Sequence, residues 1–402
     1  MAKKSDKFDF ILYGATSFVG QIMCEYLADY DDEKISWAMA GRNESKLLEV
    51  KEKFGLEQVP HFVADAENEV LIERICLKTK VIISTVGPYA LYGEPMVKMC
   101  VKTGTDYCDL TGEPQWIYAM INKYHEQAKQ TGARIINSCG FDSVPSDLGV
   151  FKSQQLALEK TQQPALSIKM RVRKLKGGAS GGTIASMMNI LKETKRNPKL
   201  KKVLVNPYVL CPEDHNYTQR QKNHKKAEFD KELNIWTMPF VMASINERIV
   251  HRSNALLGDM YGENFLYDEA MSAKNSKQAK KFTFGLGAFY LGASISPIRS
   301  ILEKYVLPKP GEGPSKKEQL KGMFDMRFYA ELSNGENQVV QVTGDRDPGY
   351  GSTAKMLVQA ALCIAKDIPK VKGGFWTPAS AMAEPLTQRL EKHAGIEIQQ
   401  LD

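Results

Sequence analysis

Gly14, Ser17 and Gly20 have the spacing with the most chemistry in it. They close an apolar run that starts at Phe8. Glycine at the end of a strand lets the chain turn, and a small residue three positions on lets backbone come close to a bound group. A further glycine lets the next helix pack against the strand. Ile22, Met23 and Leu27 follow at helical spacing. A helix N-terminus offers free N–H groups and a positive dipole end, so the fitting chemistry is capture of a diphosphate. The ligand class is a dinucleotide.

Arg42 narrows that class. It follows Gly41 at the end of an apolar stretch at 35–40, with Lys46 one turn into the next helix. A site for the unphosphorylated dinucleotide places Asp or Glu there to bind both ribose hydroxyls. A guanidinium instead binds a 2′-phosphate through a fork of donors. The expectation is NADP; the bland alternative is a solvated surface cation. Asp65 stands where it could meet the adenine amino group or cap a helix. Farther on, Ser84-Thr-Val-Gly-Pro-Tyr89 ends a fourth apolar run. Gly87 permits close approach there, and Tyr89 and Tyr92 are expected to face the reaction space or simply to pack. In Cys139-Gly-Phe-Asp-Ser-Val-Pro-Ser-Asp147 the best acid is Asp142, with Ser143 a possible hydrogen-bond donor. Either could instead cap the helix that Pro145 opens. Cys139 reads as a small buried hydrophobe.

The elements that must hold these residues alternate. Strands are expected at 8–13, 35–40, 61–64, 81–86, 106–110 and 134–138. Between them come helices at 43–54, 70–77, 95–102 and 114–131, with Gly55, Gly104 and Gly132 as stops. The run 81–86 is apolar throughout, as in a strand buried on both faces. Strand–helix alternation predicts an α/β fold, a Rossmann-type doubly wound parallel sheet.

At 402 residues the chain exceeds one core, and two domains are expected. Seven scattered cysteines without a Cys-x-x-Cys pair, and six histidines without ligand spacing, point to reduced thiols, no zinc site and a cytoplasmic setting. With the first strand expected from residue 8, no signal peptide is expected. Net charge is +7, concentrated at 169–232, where 16 Lys or Arg face 6 Asp or Glu. A solvated face is the ordinary meaning of such a run; an anionic surface or carrier is the alternative. No nucleic-acid signature accompanies it, so no nucleic-acid partner is expected.

In the second half, 167–175 alternates as an exposed strand would. Gly177–Thr183 reads as a second glycine-rich turn opening a helix to about 195, an anion site or a hinge. Residues 324–343 read as a hairpin around Asn334-Gly335, which predicts a mixed sheet with helices on one face. Phe282–Ile298 holds 17 uncharged residues after Lys274, Lys277, Lys280 and Lys281. Its glycines, serines and proline argue against a spanning helix. Peripheral membrane contact through 282–302 is one expectation, an acyl pocket a second, and a core or dimer-interface helix a third. Pro308–Pro314 is a loop.

Gly14–Gly20, Ala40–Arg42, Thr85–Tyr89, Tyr107–Glu113 and Cys139–Asp147 together resemble saccharopine dehydrogenase-like oxidoreductases. Pro310–Pro314, Gly344-Asp-Arg-Asp-Pro-Gly-Tyr350 and Gly374-Phe-Trp-Thr-Pro-Ala-Ser380 resemble the branch called trans-acting enoyl reductases, and the likeness runs over nearly the whole chain. It implies an NADP-binding Rossmann domain (1–150), an α+β substrate and dimerisation domain (151–365), and a C-terminal segment (366–402) packing back on the first. It implies a homodimer and hydride transfer to a small-molecule or carrier-bound acyl substrate. The cofactor side is then Gly14, Thr16, Ser17, Phe18, Val19, Gly20, Arg42, Lys46, Asp65, Val86 and Gly87, with no metal. Tyr89, Asp109, Thr111, Asp142 and Ser143 fall on the substrate side, with Tyr89, Asp142 and Ser143 as catalytic candidates. Ser17 replaces the commoner middle glycine and should narrow the phosphate cradle.

The leading expectation is reduction of an enoyl double bond on a lipid or polyketide-type chain. A saccharopine-type imine reductase and a non-catalytic NADP-binding protein at a lipid surface are the rivals. The Tyr-x-x-x-Lys pair of short-chain dehydrogenases is misplaced: Tyr30–Lys34 sits at the wrong end of a strand and Tyr305–Lys309 outside the domain.

Overall fold

The computed structural model describes residues 7–178, 181–302, 304 and 313–401. Ala179 and Ser180 of the second glycine-rich turn, Tyr305, Lys309 and the expected loop at 308–312 lie outside the described residues. The first half runs β1 (Phe8–Tyr13), α1 (Phe18–Ala28), β2 (Trp37–Gly41), α2 (Glu44–Phe54), β3 (His61–Val63), α3 (Glu69–Leu77), β4 (Thr79–Ser84), α4 (Tyr89–Tyr92), α5 (Glu94–Thr103), β5 (Asp106–Asp109), α6 (Pro114–Thr131), β6 (Arg134–Ile136) and α7 (Val144–Thr161). The second half runs β7 (Ser167–Lys176), α8 (Gly181–Arg196), α9 (Lys199–Val205), β8 (Glu228–Asp230), β9 (Ile235–Pro239), α10 (Ala243–Leu256), β10 (Leu266–Ala273), α11 (Ser276–Ser294), α12 (Ser296–Ile301), α13 (Lys316–Leu320), β11 (Met323–Glu331), β12 (Asn337–Gly344), α14 (Thr353–Lys366), β13 (Gly374–Trp376), α15 (Pro378–His393) and β14 (Ile396–Leu401).

Two seven-stranded sheets result. The first, in the order β13-β6-β5-β4-β1-β2-β3, is parallel throughout. It is the expected doubly wound sheet, extended by a late strand. Its chain order reverses between β1 and β4, which opens a crevice at the carboxyl ends. Phe10 and Leu12 of β1 enter one apolar cluster and Ile11 and Tyr13 the other, so both faces are buried. Helix α2 starts and stops on the expected residues: the Asn43 side chain accepts from the Lys46 amide, and Gly55 takes φ 67°.

Several boundaries differ from expectation for local reasons. The second strand begins at Trp37 because the Ser36 amide donates to the Asp9 carboxylate at 3.0 Å. The fourth ends at Ser84 because the chain then turns into α4, a helix the sequence did not announce. The Tyr89 and Ala90 amides there donate to the buried Glu113 carboxylate at 2.9 and 3.0 Å. The sixth ends at Ile136 because the Asn137 side chain and the Ser138 amide turn to Asp109.

The second sheet, β14-β12-β11-β7-β10-β9-β8, is mixed, with β7 parallel to β10 and antiparallel to β11. The exposed strand expected at 167–175 is thus a central strand, and its alternation records a core face against a polar face that is itself partly covered. Arg171 is fully buried on that polar face between Asp230 (3.1 Å) and Asp268 (2.5 Å). The hairpin turns at Gly335, φ 82°, whose amide donates to Leu332.

Helix α14 packs on β1, β4 and β5, α7 packs on β11 and β12, and α15 touches both helices, so one apolar cluster runs from the first sheet to the second. The C-terminal stretch serves both sheets, β13 pairing with β6 and β14 with β12. The α7–sheet contact is tight. A Cβ on Gly149 would stand 2.3 Å from the Phe328 ring. Gly149→Ala is therefore expected to cost about 1–3 kcal/mol of stability, read as a lower urea midpoint. An unchanged midpoint would show that the ring moves aside freely.

Candidate functional site

Four loops meet at the carboxyl edge of the first sheet, after β1, β4, β5 and β6. The first two are laced together. The Ser17 hydroxyl accepts from the Gly20 amide at 2.9 Å and lies 2.8 Å from the Thr85 hydroxyl, which donates to Gly14 O at 2.9 Å. Gly14 sits at φ 95°, and a Cβ there would stand 2.5 Å from Thr85 Oγ1 and 2.9 Å from Val86. A Cβ on Gly20 would stand 2.2 Å from Gly14 O. Both glycines are needed for steric reasons. Ser17 caps α1, so its hydroxyl does the work of a turn tie.

Phe18 and Val19 open α1, and their amides have no acceptor within the helix. No acidic side chain stands in that first turn. The cradle therefore fits a dinucleotide diphosphate. Arg42 follows β2 in an exposed position, with no ion-pair partner among the described residues. Lys46 is also exposed; its amide serves the Asn43 cap, and its side chain has no partner among the described residues. Asp65 is exposed and accepts from the Glu67 amide at 3.0 Å, and Asn68 rather than Asp65 caps α3. Val86 and Gly87 edge the same crevice, and a Cβ on Gly87 would meet only the Tyr89 ring, at 3.4 Å. Thr16 lies in the turn itself, its carbonyl accepting from the Gln21 side chain.

The catalytic expectations divide. Tyr89 does not face the crevice: its ring is buried against Trp116, and its hydroxyl donates to Ser84 O at 2.8 Å and accepts from the Leu110 amide at 3.4 Å. Burial pushes its pKa well above the usual phenol value. A hydroxyl committed to backbone on both sides is a structural tie, which corrects the expectation that Tyr89 faces the reaction space as a catalytic residue. Tyr92 is largely exposed, at 47%. Ser143 is buried, and its hydroxyl donates to Asn246 Oδ1 at 3.1 Å, so it links α7 to α10 and makes no cap bond.

Asp142 keeps the features of an acid. Burial, then the nearby Asp109 charge, pushes its carboxyl up to about 7, against the opposing pull of its own backbone N–H. No side chain hydrogen-bonds to it among the described residues. Gly112 and Gly140 leave room for it; Cβ atoms on them would come within 3.4 and 3.2 Å of its oxygens. Asp109 has a different role. It is fully buried and accepts from Tyr107 Oη, Asn137 Nδ2, Ser138 N and Thr111 N at 2.8–3.1 Å. Burial lifts it to about 6, with those bonds pulling the other way. Thr111 accepts from the Glu113 amide, so Asp109 and Thr111 set the shape of the β5 and β6 loops.

The residues that sequence reasoning missed mostly come from afar. Glu113 bonds Ser186 of α8 at 2.7 Å as well as α4. Asn246 joins Ser143 to Ser146 (3.0 Å) and to Glu269 (2.9 Å). Tyr350 stacks edge-on with Phe18 at 4.6 Å, and its hydroxyl accepts from the Gly181 amide. Thr353 accepts from the Phe141 amide at 3.0 Å. The stretch 344–353 therefore joins the α1 turn, α8 and the Asp142 loop. Only its unusual Gly-Asp-Arg-Asp-Pro-Gly-Tyr composition marked it in the sequence.

A doubly wound sheet with a diphosphate cradle, a cationic tip on β2 and a half-buried acid at the sheet edge defines a Rossmann-type oxidoreductase. Residues 10–136 match the family model for the saccharopine dehydrogenase NADP binding domain. A Mycobacterium tuberculosis protein with the provisional name trans-acting enoyl reductase is 38% identical, covering 98% of this chain and 97% of its own. The trans-acting enoyl reductase of Mycobacterium leprae is 35% identical over 99% of each chain. Apo saccharopine dehydrogenase (L-Glu forming) from Saccharomyces cerevisiae shares the fold, with TM-score 0.52 and 13% identity over 98% of this chain and 99% of that one. The chain belongs to the trans-acting enoyl reductase family, built on the saccharopine dehydrogenase NADP-binding domain. It is an NADP-dependent oxidoreductase.

Proposed function

We propose that this enzyme reduces the carbon–carbon double bond of an enoyl thioester on a lipid-type or polyketide-type acyl chain, free or carrier-bound. The observation that carries the reading is Asp142, a carboxyl at the sheet edge that has no side-chain hydrogen bond among the described residues and is raised toward neutrality by its surroundings. NADPH, when bound, supplies the hydride. The Gly14–Gly20 turn holds the diphosphate and Arg42 the 2′-phosphate. Negative charge then develops on the thioester oxygen, where a preorganised donor has its largest effect. Asp142 acts in its neutral form; it hydrogen-bonds that oxygen and gives the proton that completes the saturated product. Asp109 and Thr111 fix the loops, and α8 and α10 are tied to them through Ser186 and Asn246. Names borne by relatives at 34–38% identity support the enoyl assignment.

An imine reductase would need free cations for its substrate's carboxylates. The buried arginines of the basic stretch and of α10 are already engaged: Arg171 with two aspartates, Arg248 and Arg252 with backbone carbonyls. The test is absorbance of the reduced cofactor, with NADPH and a 2-enoyl thioester in one cuvette and a keto acid plus amino acid in another. Oxidation is expected in the first. Oxidation in the second alone would overturn the assignment.

A membrane role has its own observation. No helix among the described residues is long and apolar enough to cross a bilayer. Yet α11 and α12 expose Phe284 (80%), Leu291 (67%), Ile295, Ile298 and Ile301, in line with Lys277, Lys280 and Lys281. From 270 to 302 there is no acidic residue. Such a stripe suits the headgroup region of an anionic bilayer. Phe284→Ser with Leu291→Ser is expected to abolish flotation with phosphatidylglycerol vesicles. Flotation unchanged by the pair would remove the membrane from the proposal.

A further inference from the structure

The inner face of α11 does something different from the outer one. Thr283, Leu286, Gly287 and Tyr290, spaced i, i+3, i+4 and i+7, face a cavity of about 320 Å³ between α11 and α10. That volume is at the small end of ordinary ligand pockets. Leu204, Phe240 and Leu286 give it apolar walls. Its other end is polar and buried. Glu247 and Glu269 both line it. The Glu269 carboxylate is satisfied by Tyr267 Oη at 2.6 Å and Asn246 Nδ2 at 2.9 Å. Glu247 has the Glu269 amide and no side-chain partner among the described residues. His224 lines the cavity as well. Its Nε2 is bonded to Asp268 at 2.6 Å, while its buried Nδ1 has no hydrogen-bond partner, the nearest acid being Glu228 at 3.8 Å.

Buried polar atoms without partners are costly. A cavity that gathers them beside apolar walls is built to be completed by a ligand with an apolar body and a polar group. Charge decides the type. A cation would meet Lys225 and Arg248 on the same lining, and an anion would meet two buried carboxyls. A neutral group that both donates and accepts meets neither objection. Asn246, which bonds both Glu269 and Ser143, puts the cavity one amide away from the Asp142 loop.

We propose that the α10–α11 cavity receives the aliphatic tail of the acyl substrate, and that Glu247 and His224 select a chain carrying a hydroxyl group. This rests on the acyl-reductase reading for the identity of the substrate, and not for the existence of the binding site. Burial and the Glu269 charge raise the Glu247 carboxyl well above its usual value, so it is equipped to donate as well as accept. A hydroxyl offers a partner to both groups; a plain chain leaves His224 Nδ1 unpaired and Glu247 with the Glu269 amide alone, a loss that sites of this kind convert into strong discrimination.

The probes are saturated N-acetylcysteamine thioesters of octanoate and 8-hydroxyoctanoate, titrated calorimetrically into the full chain. They bind without needing turnover. The hydroxy ester is expected to bind at least about tenfold tighter. Glu247→Leu should erase that preference, and Leu286→Trp, on the half-buried wall of α11, should weaken both esters about tenfold or more. Equal affinities in the unaltered protein, no heat from either ester, or Leu286→Trp binding the hydroxy ester unchanged would each overturn the proposal. Preference in binding without reduction of any enoyl ester would spare the cavity and sink the enoyl reading. Reduction without chain preference would do the reverse.

Discussion

Asp142→Asn is expected to lower kcat by about 10²- to 10⁴-fold, the usual contribution of a positioned acid, while NADPH affinity stays within about twofold. The pH profile gives the sharper result. The carboxyl is active in its neutral form and loses its proton near pH 7, so turnover should be flat in mild acid and fall as pH rises through about 7. In Asp142→Asn that falling limb should vanish. Stability should fall over the same pH range. A folded-state pKa raised above the ordinary value of 3.8 means that the neutral carboxyl stabilises the fold fully below that value, and the contribution is lost as pH rises through about 7. Asparagine cannot ionise, so at pH 8 the variant should unfold at least as late as the parent. A variant that is less stable and keeps its pH limb would reduce Asp142 to a structural residue.

Arg42→Ala is expected to raise the Kd for NADPH by about 10- to 100-fold, the usual loss for one charge-assisted bond to phosphate, and to leave NADH within about twofold. Among the described residues the exposed guanidinium has no ion pair to give up on binding, so most of the interaction appears as affinity. Its exposure also makes the effect sensitive to ionic strength, and the gap between the two nucleotides should narrow in high salt. Calorimetric titration with each reduced nucleotide decides it. Equal losses for both would place the 2′-phosphate elsewhere.

Much of the first sheet was legible because its signals are local. Apolar runs, the Asn43 cap and the stops at Gly55, Gly104 and Gly132 act within a few residues, and the helices they bound fall where expected. Long-range bonds were not legible. Nothing near Tyr89 says that Ser84 O and the Leu110 amide hold its hydroxyl, or that Glu113 nucleates α4. The alternation in 167–175 reads as an exposed strand, because a buried arginine between two aspartates from distant strands has no signature within its own strand. β13 joins the first sheet from more than two hundred residues away. Asn246 and the Glu247–Glu269 pair belong to the same class: ordinary residues on an ordinary helix and strand, made special by what the fold sets opposite them.

Transfer of hydride to an enoyl carbon at the sheet edge, with the proton from Asp142, is tested most directly by NADPH carrying deuterium at the transferable position. With a 2-enoyl thioester in ordinary water, mass spectrometry should find a saturated product with one deuterium on the carbon β to the carbonyl and ordinary hydrogen at the α position. A saturated product without deuterium, or labelled reduced cofactor left unconsumed with every enoyl chain offered, would contradict the account.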